Sequence, residues 1–284
     1  MFKYFHSVEF IYYRLLLTRK IRKLNIEKAG KDSEGICFIK LRSDYIFYGP
    51  EARGKDFKYY QLLPKKIKSV LPNECYGIAL DILTRYIGGG LKLGGPEKQS
   101  RYEVRSGDKV AEMGAFRGYY CMRLAKQVGK SGKVIAIEPV ESNLFYLRKN
   151  IEANYLDQVK IVNKGVWKEK AVMTFQREKH DYQSGSLGIQ YSDADKFLVE
   201  VDSLDNILQE SGISHVDFMI IQLNGVELEA LEGLTADKPS NLAIAARYRK
   251  GGQLAAGLIR KHLVEKGYKT EIINRDYIFA FIQH

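Results

Sequence analysis

From Lys109 onward, apolar residues recur in two alternating rhythms: short continuous runs that mark strands, and i, i+3, i+4 spacings that mark helices. Lys109–Met113 is the first run, a turn with Gly114 and Gly118 follows it, and a helix begins near Tyr119. Residues 134–137 form the next strand. Residues 142–154 suit an amphipathic helix, with Ser142 as its capping candidate and Leu144, Leu147, Ile151 and Tyr155 inward. Strands are expected over 159–163, 171–176 and 198–201, and a long polar segment, 177–196, separates the last two. Leu204–Glu210 reads as a helix. Residues 217–223 are nearly continuously apolar, as in a parallel strand buried on both faces, and 226–234 is the helix after it. A strand over 242–247 then precedes a helix over 253–266, with Leu254, Leu258, Ile259 and Leu263 inward. Lys269–Ile273 and residues 277–282 close the chain as a hairpin around 274–276. Alternating β and α units of this kind predict an α/β fold.

The first third of the chain has a different texture. Residues 2–23 suit an amphipathic helix, with Phe5, Val8, Tyr12, Leu15 and Leu16 on one side and Arg14, Arg19, Lys20, Arg22 and Lys23 mostly on the other. A polar loop is expected over 28–34, then a hairpin of 36–41 and 45–48 stopped by Gly49 and Pro50. Residues 56–87 are more helical, interrupted at Pro64 and Pro72, and the glycine-rich stretch 88–95 serves as a hinge. Two parts result: a small N-terminal α+β extension, 1–95, and a larger α/β domain, 96–284.

A length of 284 residues suits one sizeable core plus an appendage. The three cysteines, Cys37, Cys75 and Cys121, form no CxxC pair, which argues against a disulfide framework or zinc site and favours a reducing, cytoplasmic setting. The apolar run 10–13 is broken by Arg14 before it reaches membrane-spanning length, so at most a peripheral membrane association is expected. Net charge is +11, and residues 1–70 carry 16 Lys and Arg against 7 Asp and Glu, or +9 of it. That surface suits nucleic acid, anionic lipid or an acidic substrate, and it also simply aids solubility. For the N-terminal helix, packing on the core or in a homodimer is the commoner outcome; a nucleic-acid or membrane partner is not favoured.

Chemistry concentrates in the first strand–turn–helix. Gly114 and Gly118 flank Ala115, Phe116 and Arg117, a GxxxG turn that lets backbone pass close to a ligand. The second strand ends at Glu138 and Pro139, where a carboxylate is placed to accept both hydroxyls of a ribose. Together they specify a nucleoside-binding βαβ unit. A dinucleotide fold wants GxGxxG, with helix amides on a pyrophosphate. Here Glu112 would repel a pyrophosphate but suits a cationic ligand, such as the ammonium and sulfonium of S-adenosylmethionine (SAM).

At this point the chain resembles class I SAM-dependent methyltransferases, and more closely the FkbM family. The family's D-x-G-A-N-x-G-Y-Y/F stands against Glu112-Met113-Gly114-Ala115-Phe116-Arg117-Gly118-Tyr119-Tyr120, and the resemblance covers about residues 100–283. It implies a Rossmann-like seven-stranded sheet with a C-terminal antiparallel hairpin, and SAM-dependent O-methylation of a sugar or other small-molecule hydroxyl. Cofactor contacts are implied for Glu112, Gly114, Ala115, Phe116, Gly118 and Tyr119 on the turn, and for Glu138, Pro139 and Asn143 after the second strand. Tyr102-Glu103 resembles a feature facing the cofactor, while Gly165, Val166 and Trp167 stand where the family borders adenine. The polar segment resembles one that covers the active site, and it carries His180, the best-placed imidazole for proton abstraction. Val201-Asp202-Ser203-Leu204-Asp205 matches the signature V-x-T/S-L-D.

One departure stands out. The family reads K-I-D-V-E-G-x-E where this chain has Ile220-Ile221-Gln222-Leu223-Asn224-Gly225-Val226-Glu227, so both acids before the glycine are amides. No metal site is expected, because an amide cannot supply the missing charge. Gln222, also a candidate cofactor contact, joins His180 and Glu227 as the acceptor-side set. Arg247 and Arg249 suit an anionic substrate or are plain surface charges. The rival readings are an RNA methyltransferase served by the basic N-terminal region, a weakened SAM-binding protein, and a nucleotide-dependent dehydrogenase. The GxxxG turn speaks against the last.

Overall fold

The computed structural model describes residues 20–21, 24–42, 44–52, 60–88, 99, 101–178, 185–236, 238–273 and 277–282. The helix expected over 2–23, except Lys20 and Ile21, lies outside them, as do most of the glycine-rich hinge and His180. Two compact units emerge. One comprises Met1–Glu97, Arg117–Arg123 and Phe145–Leu156; the other comprises Lys98–Phe116, Leu124–Leu144 and Asp157–His284.

In the first unit β1 (Ile26–Lys31), β2 (Cys37–Leu41) and β3 (Ile46–Gly49) form an antiparallel meander in that order. The polar loop expected from Lys28 is therefore mostly strand: β1 is an edge whose exposed Glu27 and Lys28 mask it in the sequence, while backbone pairing with β2 orders it. A short turn of helix, α1 (Lys65–Lys68), precedes α2 (Tyr76–Asp81), which runs on into a wider-coiled turn, Ile82–Ile87. Phe47, Tyr76 and Tyr119 are among the largest fully buried side chains, and Phe47 meets the rings of Tyr86 and Tyr119 edge-on at 4.9 and 5.8 Å.

The chain then lays down β4 (Lys109–Met113), helix α3 (Tyr119–Val128), β5 (Lys133–Ile137), helix α4 (Glu141–Ala153) and β6 (Val159–Val162). Both helices give residues to both units. From α4, Asn154 accepts from Ile46 N–H (2.9 Å) and donates to Ile46 C=O (2.7 Å), while one helical turn earlier Asn150 does the same at Tyr48 (2.6 and 3.0 Å). Two side-chain amides thus complete the open edge of β3 at alternate residues.

Next come β7 (Gly165–Val166), β8 (Ala171–Glu178), β9 (Ala194–Asp202), helix α5 (Leu204–Glu210), β10 (Phe218–Ile221), helix α6 (Glu227–Glu232) and β11 (Asn241–Ala245). A small hairpin, β12 (Arg249–Lys250) with β13 (Gln253–Leu254), leads to helix α7 (Ala255–Glu265), β14 (Lys269–Ile273) and β15 (Tyr277–Phe281). The main sheet has seven strands in the order β14-β15-β11-β10-β4-β5-β6. β4, β5, β6, β10 and β11 are parallel, and β15 runs antiparallel between β11 and β14. This is the expected Rossmann-like sheet with its terminal hairpin. Every residue of β10 is buried, as a central parallel strand requires. Strand order reverses between β4 and β10, and at such a switch point the carboxyl ends of the strands form a ligand crevice.

Several local expectations change. β8 and β9 pair from Ala171↔Val201 to Glu178↔Ala194, so residues 177–178 and 194–196 of the expected polar segment are strand; exposed charges made them read as polar loop. α4 begins at Glu141, so Ser142 lies inside it rather than capping it. Tyr155 is 87% exposed and left-handed (φ 52°), past the helix end, not inward. Leu254 belongs to β13 and is exposed. The V-x-S-L-D match has a structural meaning: Ser203 caps α5 through Asn206 N–H, and Asp205 accepts from Thr235 and Ala236 N–H at 2.8 and 3.0 Å.

Candidate active site

The glycine turn hangs from the end of β5. Gly114 and Ala115 both donate to Ile137 C=O at 3.0 Å, and Gln222 N–H from beyond β10 donates to Met113 C=O at 3.2 Å. Gly114 has φ +82°, and a Cβ there would lie 2.4 Å from Gln222 C=O. At Gly118, also φ +82°, a Cβ would lie 2.4 Å from Leu147 Cδ1. The two glycines thus permit close approaches within the protein, to the backbone just after β10 and to helix α4. Tyr119, next in the turn, is buried and donates to Tyr48 C=O at 2.8 Å.

Glu138, only 4% exposed, is held from two directions. Its Oε2 accepts from Phe116 N–H (2.9 Å), and its Oε1 accepts from Val140 N–H (3.1 Å) and Asn143 Nδ2 (3.0 Å). Phe116 turns its amide to that carboxylate through a left-handed φ of 55°. Glu138 thus joins the glycine turn to the start of α4, and its orientation is fixed. Glu112 is buried in β4, in register with Ala136 of β5 and Ile220 of β10.

A cleft of about 580 Å³ opens beside Glu138, among Pro139, Val140, Ser142, Asn163, Arg177 and Phe197. Arg177 bonds Ser142 Oγ (2.9 Å), pairs with Asp195 (3.3 Å) and lies over the Phe197 ring at 5.7 Å. The cleft wall is mixed, with Glu141, Asn163, Arg177 and Glu200 beside Val140, Phe197 and Val199. An oriented acid at a strand end, with such a cleft next to it, fits a ribose and its base. Gly165 and Val166 are buried in β7 against Val201 and Asp202, so packing on β9 accounts for both. Trp167 packs against the Val140, Phe175, Val199 and Val201 cluster as an apolar anchor.

Glu103 is not brought to this crevice. It is exposed and follows Tyr102, whose ring stacks on Phe218 at 5.1 Å and whose hydroxyl reaches Asp108. Those partners begin β10 and precede β4, so the pair sits at the amino edge of the sheet.

The turn after β10 explains the amides. Asn224, left-handed at φ 54°, donates through Nδ2 to Gly185 C=O (2.9 Å) and accepts at its own carbonyl from Ser186 Oγ (2.7 Å). A carboxylate could not donate that first bond. Ser186 Oγ also accepts from Gly188 and Ile189 N–H at 3.0 and 3.2 Å. Glu227, 1% exposed, accepts from Leu223 N–H (3.1 Å) and Gly225 N–H (2.9 Å). Burial pushes its carboxyl up to about 7, against the opposing pull of the N–H groups of Glu227, Leu223 and Gly225. It clasps its own turn. Asn150, a fully buried hub, escaped the sequence reading, because an asparagine in a helix carries no motif; Ser186, expected with the acceptor-side segment, is a second buried hub.

Among the described residues no group of three or more His, Cys, Asp or Glu could hold a metal ion, and no helix is long and apolar enough to cross a membrane. Cys37, Cys75 and Cys121 are buried, and none of them is in a disulfide.

The profile of the family described as the methyltransferase FkbM domain matches residues 112–270, just over half of the chain. Protein-L-isoaspartate O-methyltransferase 2 of Archaeoglobus fulgidus is 39% identical over 71 residues, which are 24% of this chain and 32% of that protein. Among solved structures, a methyltransferase FkbM from Methylobacillus flagellatus KT is similar at 18% identity and a TM-score of 0.44, over 80% of this chain and 58% of that one. A SAM-dependent O-methyltransferase from Thermotoga maritima is similar at 16% identity and a TM-score of 0.41, over 68% of each chain. The chain spans about a third of the first relative's length and little more than half of the second's.

Proposed function

Because the chain belongs to the methyltransferase FkbM domain family, which uses SAM, we propose that it moves the methyl group of SAM to an oxygen of a hydroxylated small molecule such as a sugar. One observation carries this reading: Glu138, its carboxylate fixed by Phe116, Val140 and Asn143, stands at the end of β5 beside the switch point, next to an open cleft. Glu138 would hold the ribose hydroxyls, with Pro139 and Val140 beside the base. The turn at Gly114 and the buried Glu112 would hold the amino-acid end, the carboxylate offsetting its ammonium. Bound SAM supplies an electrophilic methyl with a leaving group already in place.

The chain's own task is positional. Gln222, tied by its backbone to both Met113 and the Gly114 turn, offers an amide that both donates and accepts, and so can orient an acceptor oxygen. Ser186, Asn224 and Glu227 fix the backbone around it. Incubation with methyl-labelled SAM and a panel of small hydroxylated acceptors tests the proposal: label should appear in an acceptor, and its absence from all of them counts against turnover. The amides at 222 and 224 favour a second reading, a SAM-binding protein without turnover. Binding of S-adenosylhomocysteine without any labelled product would support it.

A further inference from the structure

One edge of β9 faces the cleft beside Glu138 with backbone groups to spare. Gln176 of β8 exchanges both of its backbone hydrogen bonds with Ser186, on the side away from β9. Facing residues in an antiparallel ladder alternate between bonded and non-bonded pairs, so Gln176↔Lys196, Thr174↔Leu198 and Val172↔Glu200 are non-bonded pairs. The backbone N–H and C=O groups of Leu198 and Glu200 therefore point away from β8. On that side β7 reaches only Val201 and Asp202, where Trp167 N–H donates to Asp202 C=O at 3.0 Å. Among the described residues, Leu198 C=O and Glu200 N–H make no hydrogen bond.

Both residues line the cleft, together with Pro139, Val140 and Asn163. Val140 ties the cleft to the site acid, since its N–H donates to Glu138 Oε1 at 3.1 Å. Arg177 of β8 bonds Ser142 Oγ at 2.9 Å, which braces the β8–β9 ladder against the start of α4. A base joined to a ribose at Glu138 enters this space. A carbonyl and an N–H two residues apart on one strand edge point the same way, an acceptor beside a donor. The Watson–Crick edge of adenine is their complement, a 6-amino donor beside the N1 acceptor.

We propose that the open edge of β9 reads the adenine of SAM, with Leu198 C=O accepting from the 6-amino group and Glu200 N–H donating to N1. This rests on the SAM reading above and adds to it the element that tells adenine from other bases. Recognition is by backbone alone. The side chains of Leu198 and Glu200 are both exposed, so no residue type marks the position in the sequence.

Calorimetric titration of the full chain with S-adenosylhomocysteine and three analogues tests the assignment. In S-inosylhomocysteine the 6-amino donor becomes a carbonyl and N1 becomes a donor, so both contacts are reversed and binding should weaken at least about a hundredfold. The 1-deaza analogue loses only the N1 acceptor and should bind about tenfold more weakly. The 7-deaza analogue keeps that edge and should bind like S-adenosylhomocysteine. Glu200→Pro removes the N–H at an edge position, where a strand tolerates proline. Melting as a folded protein, it should bind S-adenosylhomocysteine about tenfold more weakly and no longer distinguish the 1-deaza analogue. If Glu200→Pro does not fold, the analogue series on the wild type decides alone. Equal affinity for S-inosylhomocysteine and S-adenosylhomocysteine would overturn the proposal, as would a penalty for the 7-deaza analogue in place of the 1-deaza one. So would a folded Glu200→Pro that discriminates like the wild type. Failure to bind S-adenosylhomocysteine at all is a different result, and it overturns the cofactor assignment beneath the proposal.

Discussion

Replacing Asn150 by leucine separates hydrogen bonding from packing at a fully buried site. The amide accepts from Tyr48 N–H at 2.6 Å and donates to Tyr48 C=O and Arg117 C=O at 3.0 and 2.8 Å. Leucine is close in volume and apolar, so a site held only by packing would tolerate it or gain from it. Tyr48 C=O keeps the Tyr119 hydroxyl, at 2.8 Å, but Tyr48 N–H and Arg117 C=O each lose a part-buried bond. A buried backbone group deprived of a partner costs about 1–3 kcal/mol, so two give a loss of about 2–6 kcal/mol. Urea unfolding followed by circular dichroism reads this directly as a shift in midpoint at unchanged slope. Asn154→Leu, at a part-exposed position that water can reach, should cost less. Arg117 lies within the glycine turn, so Asn150→Leu should also weaken SAM binding. A midpoint within about 0.5 kcal/mol of the wild type, or a loss no larger than that of Asn154→Leu, would refute the reasoning.

Glu227 gives a pH signature. Its carboxyl is pushed up to about 7 from 4.5, so as pH rises the unfolded chain ionises first and stability is lost between those values, about 3 kcal/mol once both states are ionised. Unfolding midpoints at pH 5 and pH 8 should therefore fall further for the wild type than for Glu227→Gln, and equal falls would contradict the assignment. Gly114→Ala should weaken SAM binding at least roughly tenfold and cost about 1–3 kcal/mol of stability, since alanine meets both the φ of +82° and the Gln222 carbonyl; unchanged calorimetry and melting would contradict it. With amides at 222 and 224, a chelator should leave the methyl-transfer rate unchanged, and a strict requirement for a divalent ion would count against that reading.

The sheet was legible because its strands are buried on both faces and read as unbroken apolar runs, as in Phe218–Ile221, and because Gly114 and Gly118 punctuate the first βα turn. Edge strands were harder. β1 and the far ends of β8 and β9 show charges to solvent, so only their backbone pairing reveals them. That an acid ends β5 and that two glycines punctuate the turn before α3 could be read, but not what holds them. The glycines answer to Gln222 and Leu147, which lie 108 and 29 residues further along the chain, and no local spacing encodes such contacts. Glu227 looked like a site acid from its place at a helix start. Only the direction of its two oxygens, back onto Leu223 and Gly225, shows what it does.

Calorimetric titration of SAM and S-adenosylhomocysteine into the full chain and into Glu138→Ala bears most directly on the cofactor site. The wild type should bind both compounds saturably at one site per chain, and Glu138→Ala should bind them at least about a hundredfold more weakly while melting as a folded protein, since two charge-assisted hydrogen bonds are lost. No heat of binding in the wild type, or equal affinity in the variant, would contradict a nucleoside held at the end of β5.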